Sequence, residues 1–439
     1  MTGALLLVLA CAESEHPIPR DIDQELSAAL VNAGVASLPV PARDPEELVE
    51  LGRLLFFDKI LSGNKNIACS TCHHLAYHST DLLSLGIGTG GSRNGPARKL
   101  GDGRRLPRNT SDLYNKGLGA LTSLFHDGRV ELVGGSLVTP AGNSLPSRLT
   151  SLLAAQAMFP VAGRDEMRGL PGDTTRFGEV NELAQASDDD FPGIWKGLVR
   201  RLLSYPDYVV RFLEAFPGLD SSAIGFEHAA LAIAAFERAA FIQLDSPFDR
   251  YLAGDLAAMS DSAKRGALFF YGKGRCAACH LGALLTDQSF HNIGVPQLVV
   301  GVGSQLDIGR AAVTGRVPDR FAFRTPSLRN VLLTGPWMHN GVYTQLENAI
   351  RHYRNPVAAY RDYDPGQLDP RMVPLIRLDQ ATQAEVMATL DTGVTRPIDL
   401  TDADVALIRQ FLKALTDPRA FIQLREIPDN VPSGLPVFE

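Results

Sequence analysis

The sequence has no stretch that could span a membrane and no excess of basic residues. It also has only five cysteines in 439 residues. No apolar run reaches the roughly 18–20 residues that a transmembrane helix needs. The 42 Lys and Arg side chains are outnumbered by 49 Asp and Glu, and the net charge of −7 argues against binding to nucleic acid. Hydrophobic side chains make up 45% of the 439 residues, which predicts a globular protein with enough core for two domains.

The N-terminus carries a short apolar stretch, MTGALLLVLACAES. It ends in small residues, as a secretory signal does, but lacks the usual basic residues at its start. Its VLAC sequence also fits a bacterial lipoprotein processing site, in which Cys11 becomes the lipidated first residue. The alternative is an unprocessed N-terminus with a chance cysteine. We predict a leader over residues 1–11, export to the periplasm or cell envelope, and a lipid anchor on Cys11.

The other four cysteines occur in two copies of one motif, CSTCH at residues 69–73 and CAACH at residues 276–280. C-x-x-C-H is the attachment signature of c-type haem, in which two thiols bond to the porphyrin and the adjacent imidazole ligates the iron. A zinc ribbon would place its cysteine pairs about 15–20 residues apart, and a redox dithiol does not need the following histidine. The motifs therefore predict two covalently bound haem c groups, whose attachment outside the cytoplasm agrees with export. The predicted haem-binding residues are Cys69, Cys72, His73, Cys276, Cys279 and His280.

Each motif follows a similar helical stretch, RDPEELVELGRLLFFD in the first half and SDSAKRGALFFYGKGR in the second. Asp44 is the expected N-cap of the first helix, and Gly52 and Gly266 each lie shortly before a Leu-Phe-Phe sequence. Amphipathic helices are predicted over residues 226–242 and 401–415. The repeat predicts a mainly α fold with two cytochrome c-like haem domains in tandem and long loops. The predicted boundaries are 12–40 for a linker, 41–257 for the N-terminal haem domain, 258–417 for the C-terminal haem domain and 418–439 for a C-terminal tail.

From about residue 40 to residue 417 the sequence resembles the bacterial di-haem cytochrome c peroxidases and the related MauG proteins, which oxidise a precursor protein. The motifs that carry the resemblance are IACSTCHH, FHDGR, AAQAMFPVAGRDEM, RCAACH, FHNIG, FRTPSLRNV and MHNGVYTQLENAIRHY. The resemblance implies that peroxide reacts at the N-terminal haem and that the C-terminal haem transfers electrons.

The resemblance also implies that the N-terminal haem has a free face. In the peroxidases a histidine blocks this face in the resting enzyme, and the matching position, sixteen after His73, is Thr89. Threonine is not a useful ligand for ferric haem, so the resemblance points to a vacant position, as in MauG. His78 is the alternative ligand, whereas His74 is too close to His73 to reach the opposite face.

The peroxidatic pocket of the family contains a Gln, a Pro four positions later and a Glu six positions after that. Gln156, Pro160 and Glu166 have the same spacing. Cleavage of the O–O bond needs a proton moved between the two peroxide oxygens, which a carboxylate can do. The resemblance therefore implies Glu166 as the acid–base group and Gln156 as a hydrogen-bonding residue. Taken alone, RDEMRG would be read as a solvated charge cluster.

The sixth ligand of the C-terminal haem is a methionine in the peroxidases, and the matching residue here is Tyr353, as in MauG-like members. A phenolate favours ferric over ferrous iron and lowers the reduction potential. The alternative places Tyr353 on the haem edge, with His352 or Met338 as the ligand.

Two further sites follow from the resemblance. The family's inter-haem tryptophan is replaced by His126, so electrons would tunnel directly or use an aromatic side chain such as Trp337. The family also binds one calcium ion at the domain junction, and carbonyl and amide oxygens suit calcium. The matching positions are Asn109, Thr334 and Pro336.

These features predict an oxidoreductase of the cytochrome-c peroxidase type, which reduces hydrogen peroxide to water with electrons from a small cytochrome c or cupredoxin. The alternative is a MauG-like enzyme that oxidises Trp or Tyr residues of a partner protein. A less favoured alternative is an electron carrier without catalysis, because a carrier needs no acid–base residue beside an open iron.

Overall fold

The computed structural model describes residues 21–300 and 305–438, and the predicted leader with Cys11 lies outside them. The fold is mainly helical, as predicted. None of the helices in the described part of the chain is long and apolar enough to cross a membrane. The helices are α1 (Ile22–Asn32), α2 (Glu46–Phe57), α3 (Cys69–Cys72), α4 (Leu152–Ala157), α5 (Phe191–Leu203), α6 (Pro206–Ala215), α7 (Phe226–Phe241), α8 (Pro247–Leu252), α9 (Asp261–Tyr271), α10 (Ala311–Thr314), α11 (Leu346–His352), α12 (Pro356–Arg361), α13 (Gln380–Met387) and α14 (Asp402–Ala414).

Seven short strands form three small antiparallel sheets among the described residues. The first sheet has the order β1–β2–β3, with Leu124 opposite Val130 and Leu132 opposite Leu137. The other two sheets are the pairs β4–β6 and β5–β7. The strands are β1 (Ser123–Leu124), β2 (Val130–Val133), β3 (Ser136–Val138), β4 (Phe290–His291), β5 (Gln297–Leu298), β6 (Phe323–Arg324) and β7 (Ile376–Arg377).

The same helix pair occurs in both halves of the chain. Helix α2 packs against α7, and α9 packs against α14. At each crossing a glycine allows the two backbones to touch. A Cβ atom on Gly52 would lie 1.8 Å from the carbonyl oxygen of Ala232, and one on Gly266 would lie 1.9 Å from that of Leu407. Gly52 and Gly266, which hold the same place in the sequence repeat, are thus the contact points of two equivalent helix pairs.

Asp44 does not cap α2 as the sequence predicts. The N-cap residue is Pro45, which makes no side-chain capping bond. The Asp44 carboxylate instead accepts two hydrogen bonds from Arg238, at 2.7 and 2.8 Å. A bidentate arginine on the neighbouring helix α7 competes successfully for the carboxylate because such pairs are stronger than a single amide bond.

Two hydrophobic cores coincide with the two helix pairs. The first includes Leu51, Phe56 and Phe236, and the second includes Phe270 and Phe411. The domain boundaries at residues 257 and 417 stay a prediction.

The segment predicted as a linker, residues 12–40, contains a docked helix. Leu26 and Leu30 of α1 are buried in the second core, and Asp23 forms an ion pair with Lys264 at 2.8 Å. The apolar face of α1 and the Asp23–Lys264 ion pair attach residues 22–32 to the C-terminal half. These residues are therefore packed against the fold, unlike a flexible linker.

The C-terminal tail packs on the opposite half. Val431 and Leu435 belong to the first core, and the Ser433 hydroxyl donates to the Asp58 carboxylate at 2.6 Å. The tail therefore returns from the second half of the chain to cover the first.

Candidate functional site

The first C-x-x-C-H motif lies on the short helix α3. The Thr71 hydroxyl accepts a hydrogen bond from the Ala68 amide at 2.9 Å and closes the turn that carries Cys69 and Cys72. Both thiols are free of disulfide bonds, as are those of the second motif. Burial raises the pKa of the Cys72 thiol to about 12, and it raises the pKa of Cys69 as well. The two thiols are uncharged and available for covalent attachment.

The histidine of each motif is held in the form that a metal-ligating imidazole requires. His73 Nδ1 lies 3.1 Å from the carbonyl oxygen of Ser79, and His280 Nδ1 lies 3.0 Å from that of Leu285. A carbonyl oxygen only accepts, so Nδ1 carries the proton and Nε2 keeps its lone pair. Burial lowers the pKa of both rings and keeps them neutral. Two thiols and a neutral imidazole whose Nδ1 is held by a carbonyl oxygen fit haem c in each half.

The charge of Glu166 acts on the first motif. Glu166 lies on the π-helix Arg164–Arg168, a helix type that often marks functional sites, and its carboxylate acts electrostatically on the thiols of Cys69 and Cys72. Burial raises the pKa of Glu166, and the positive charge of Arg129 opposes this effect. A carboxyl group is one of the side chains that serve as general acid or base.

Gln156 and Pro160 precede Glu166 as the sequence predicts. Gln156 is on α4, half-buried, and its side-chain amide makes no hydrogen bond to another residue in the described ranges. Pro160 begins the 3-10 turn Pro160–Ala162, which packs against the π-helix. The Gln156 amide is thus free to bind a small ligand.

Thr89 is in contact with the segment that carries Glu166. The Thr89 amide donates to the Glu166 carbonyl oxygen at 2.9 Å, and the Thr89 hydroxyl donates to Asn66 Oδ1 at 2.8 Å. The neighbouring Gly88 makes this approach possible, because a Cβ atom there would lie 1.8 Å from the carbonyl oxygen of Asp165. The position matching the family's distal ligand therefore adjoins Glu166, and its hydroxyl is already engaged.

The alternative ligand His78 and the excluded His74 both have other partners. His78 Nδ1 lies 3.3 Å from the carbonyl oxygen of Ala420 in the tail. The His74 ring packs on Phe438, with 5.0 Å between ring centroids, and its Nδ1 accepts from the Ala76 amide. Both rings contact the C-terminal tail or their own turn.

The second motif and Tyr353 line one apolar cavity in the C-terminal half. Burial raises the pKa of the Tyr353 phenol, and the two motif cysteines are the next cause. The phenol makes no hydrogen bond to another described residue, so it is free to act as a ligand. The cavity residues that bear on the predictions are Cys276, Cys279, His280, Met338, Trp337 and Tyr353.

His352 is not available as an iron ligand. Its Nδ1 is 3.0 Å from the Tyr343 hydroxyl, and its Nε2 is 2.7 Å from the carbonyl oxygen of Ile293. The ring is 1% exposed, and burial lowers its pKa to about 4. Both nitrogens of this neutral ring are used in hydrogen bonds.

The positions predicted for electron transfer and for calcium meet at the wall of the same cavity. His126 lines the cavity, as does Trp337, whose Nε1 donates to the Val331 carbonyl oxygen at 3.0 Å. The Asn109 side-chain amide donates to the Pro336 carbonyl oxygen at 2.8 Å. Asn109, Pro336 and Thr334 all line the cavity, so the structure brings the three proposed calcium positions to one place.

Comparison with known proteins adds to this geometry. Residues 46–257 match the sequence model of the family described as di-haem cytochrome c peroxidase. The methylamine utilization protein MauG of Methylorubrum extorquens is 32% identical over 319 residues, which cover 72% of each chain. The cytochrome c551 peroxidase of Pseudomonas aeruginosa is 33% identical over 307 residues, covering 70% of this chain and 71% of that protein.

The chain belongs to the di-haem cytochrome c peroxidase family.

A solved structure agrees in fold. The crystal structure of a MauG-like protein associated with microbial copper homeostasis superimposes with a TM-score of 0.60 and 26% identity, over 90% of this chain and 96% of the other. The family confirms an oxidoreductase of the cytochrome-c peroxidase type with two haems. The relatives include proteins named MauG and proteins named cytochrome c peroxidase. Membership of the family is therefore equally compatible with both activities.

One cluster of potential metal ligands in this di-haem peroxidase is accounted for by haem attachment. Ligand atoms of Cys279, Asp287 and His291 lie within 4.8 Å of one another. Covalent attachment of haem converts the Cys279 thiol to a thioether, which leaves His291 between two carboxylates, Asp287 at 2.9 Å and Asp391 at 2.6 Å. This histidine is a structural ion-pair centre beside the haem attachment site.

Sequence reasoning missed two charged residues of the N-terminal site. Arg129 acts on Glu166, and Glu237 of α7 acts electrostatically on Cys69. The signal for Glu237 was present, because it interrupts an otherwise apolar face in FEHAALAIAAFERAAF. No local pattern could pair Arg129 with Glu166, since the electrostatic influence depends on the fold.

Proposed function

We propose that this enzyme reduces hydrogen peroxide to water at the N-terminal haem, with electrons delivered through the C-terminal haem. The observation that supports this most directly is the Glu166 carboxylate beside the first motif, next to Thr89 rather than a ligating side chain. The haem supplies a redox-active iron that binds peroxide. Two electrons and two protons convert each peroxide to two water molecules.

In this proposal Glu166 takes the proton from the inner peroxide oxygen and gives it to the outer one. Gln156 orients peroxide or water through its free amide. Pro160 shapes the turn that joins them. The hydroxyl of Thr89 stays with Asn66 and leaves the site open.

The test compares Glu166→Gln with Asp165→Asn in the matured two-haem protein. Asp165 is the adjacent carboxylate, 47% exposed and paired with Arg104 at 3.6 Å. Glu166→Gln should slow the stopped-flow reaction with peroxide by roughly 10²–10⁴-fold, the usual size of a general acid–base contribution, whereas Asp165→Asn should react normally. Equal rates in wild type and Glu166→Gln would remove Glu166 from the mechanism.

A second candidate function is MauG-like oxidation of Trp or Tyr residues in a partner protein. Thr89 and the unbonded phenol of Tyr353 favour it, as does similarity to proteins named MauG. The electron source separates the two. Rapid turnover with a reduced small cytochrome c or cupredoxin supports the peroxidase, whereas an oxidised state that persists with these donors and decays only with a specific protein supports the alternative. A protein that does not react with peroxide at all would be an electron carrier.

For the C-terminal site we propose that His280 and Tyr353 would hold the haem iron, which would supply electron transfer, with His126 and Trp337 on the wall of the same cavity. The carbonyl oxygen that holds His280 Nδ1, and the place of Tyr353 on the wall of the same cavity, support this assignment. Met338 lines the same cavity and is the remaining alternative.

We also propose one calcium ion between Asn109 and the carbonyl oxygens of Thr334 and Pro336. The contact between the Asn109 amide and Pro336 supports it, and rotation of that amide by 180° would present an oxygen instead. Export to the periplasm or cell envelope is proposed because haem c is attached there. A lipid anchor on Cys11 is proposed with it, and mass spectrometry of the mature protein would detect the added mass.

A further inference from the structure

A second cavity, of about 1070 Å³, is lined by residues of both halves of the chain and is separate from the cavity that contains the second motif. On the side of the first half its wall is the loop that carries Arg104 and Arg105, together with Asp165 of the π-helix. This loop pairs with the segment that leads to Thr89, since the Gly88 amide donates to the Arg104 carbonyl oxygen at 3.2 Å. One wall of the cavity is therefore backed by the segment that carries Thr89.

Much of the cavity wall is apolar. Leu100 and Pro107 line it on the side of the first half, and the second half adds Leu298 of β5, Ile308 and Leu375. Small-molecule sites are usually concave spaces of roughly 300–1,000 Å³ with apolar walls and a few polar groups that fix the orientation of the ligand. The size and the lining of this cavity agree with that description.

Each carboxylate that lines the cavity has an arginine of its own. The pairs are Arg104 with Asp165 at 3.6 Å, Arg108 with Asp307 at 2.7 Å, and Arg320 with Glu385. Arg105 also lines the cavity, but its side chain forms no ion pair or hydrogen bond with any residue in the described ranges. Asp369 acts on Arg105 electrostatically, yet Arg371 already holds that carboxylate at 2.6 Å. The cavity thus has one guanidinium without a counter-ion.

The chemistry of Arg105 selects the ligand. Its side chain is half-buried, so it has lost part of its hydration without gaining a partner from the protein. A carboxylate matches a guanidinium well, because two parallel N–H groups can donate to its two oxygens. One unpaired cation balances a monoanion, whereas a phosphate dianion would keep an uncompensated charge, since the other arginines of the cavity are already paired.

We propose that this cavity binds a small carboxylic acid with an apolar body, with its carboxylate on Arg105 and its body against the apolar wall that includes Leu298 and Ile308. The site adds a second small-molecule ligand to an enzyme whose family acts on peroxide. It does not depend on the role proposed for Glu166.

The test is isothermal titration of the matured two-haem protein with 2-naphthoate, a carboxylate on a rigid apolar ring system. We expect one molecule to bind per chain without a change in the haem absorption spectrum, because no motif residue lines the cavity. Arg105→Gln should weaken binding by about tenfold or more, the effect of losing a charge-assisted hydrogen bond. The cation 2-naphthylmethylamine has the same body with the opposite charge and should bind more weakly than 2-naphthoate to a similar extent.

Two further variants separate the cavity from the overall charge. Arg425→Gln is the matched control, because Arg425 is an exposed arginine that does not line the cavity, and it should bind 2-naphthoate as the wild type does. Ala312 is an exposed residue of α10 on the cavity wall. Ala312→Trp should occupy the space and weaken binding on the order of tenfold, with the haem content unchanged. It decides the question if Arg105→Gln does not mature with two haems.

The proposal is overturned if 2-naphthoate does not bind, or if it binds Arg105→Gln and Ala312→Trp as tightly as the wild type. A shift of the haem spectrum that persists in Arg105→Gln would place the acid at the iron and would also overturn it. The peptide acetyl-Trp-Asp-amide tests another occupant. If this peptide binds in a manner that depends on Arg105 and 2-naphthoate does not, the cavity receives a segment of a partner protein, and the proposal of a small acid fails.

Discussion

Glu237 makes the folding stability of this enzyme depend on pH, and replacing it should remove that dependence. The residue lies on α7 and is 6% exposed, and its Oε2 is buried without a hydrogen-bond partner among the described residues. Burial raises the pKa of Glu237 from 4.5 to about 8, with Arg238 opposing the effect. The carboxyl is therefore protonated in the folded protein near neutral pH.

The magnitude follows from linkage. Between pH 4.5 and about 8 the unfolded chain has lost the proton while the folded protein keeps it, so the folded state binds more protons and its stability falls as the pH rises. At about 1.4 kcal/mol for each pH unit, this carboxyl costs up to about 5 kcal/mol by pH 8. The Glu237→Gln variant keeps the shape of the side chain without a titrating proton.

Urea unfolding of wild type and Glu237→Gln between pH 5 and pH 8.5 measures the effect, since covalently attached haem stays with the chain in both states. The difference between the free energy of unfolding of the variant and that of the wild type should increase by several kcal/mol from pH 5 to pH 8.5. Glu214→Gln, in which an exposed carboxylate on α6 is replaced, is the control and should show no such gain. If the curves of wild type and Glu237→Gln run parallel, Glu237 is ionised in the folded protein and the burial argument fails.

Three further predictions concern the haem sites. Tyr353→Met should raise the reduction potential of the C-terminal haem by on the order of 0.1 V, because a thioether favours ferrous iron; an unchanged potential in spectroelectrochemistry would exclude Tyr353 as ligand. His352→Ala should leave the haem absorption spectrum unchanged but lower the urea stability by about 1–3 kcal/mol, since it removes two buried hydrogen bonds; loss of a low-spin spectrum would instead make His352 a ligand. A Cys276→Ala/Cys279→Ala double variant should carry one haem per chain in a pyridine haemochrome assay, against two in wild type, and an equal count would contradict attachment at the second motif.

Much of the fold could be predicted because its signals are local. The two C-x-x-C-H motifs need only neighbouring residues to define their chemistry. The pairing of Gly52 and Gly266 with equivalent helices could be predicted from the repeat, since a helix that touches another backbone needs a glycine at the contact. The helical segments 226–242 and 401–415 could be predicted because each has an apolar face. Their predicted ends differ from those of α7 and α14 by no more than one residue.

The rest depends on contacts between distant residues. Asp44 has the sequence of a helix cap, but Arg238, far along the chain, takes its carboxylate. The helix α1 lies within a segment that reads as a linker, because its burial depends on a surface formed by the second half. The influence of Arg129 on Glu166 also has no fixed spacing in sequence. Charges that meet across the fold determine protonation, and a single sequence does not show which charges will meet.

The two halves differ in the loops around their motifs rather than in their helix pairs. Both have a glycine-contacted helix pair and a motif histidine that donates to a carbonyl oxygen. In the first half Gly88 lets the Thr89 loop close onto the π-helix that carries Glu166. In the second half the end of α11 is followed at once by Tyr353, which faces the cavity.

Exchanging the residue at position 89 for histidine should therefore convert the first site toward the blocked, resting form without disturbing the helix pair. Thr89→His that still reacts with peroxide at the wild-type rate, with no low-spin signal from a second histidine, would show that position 89 does not face the iron.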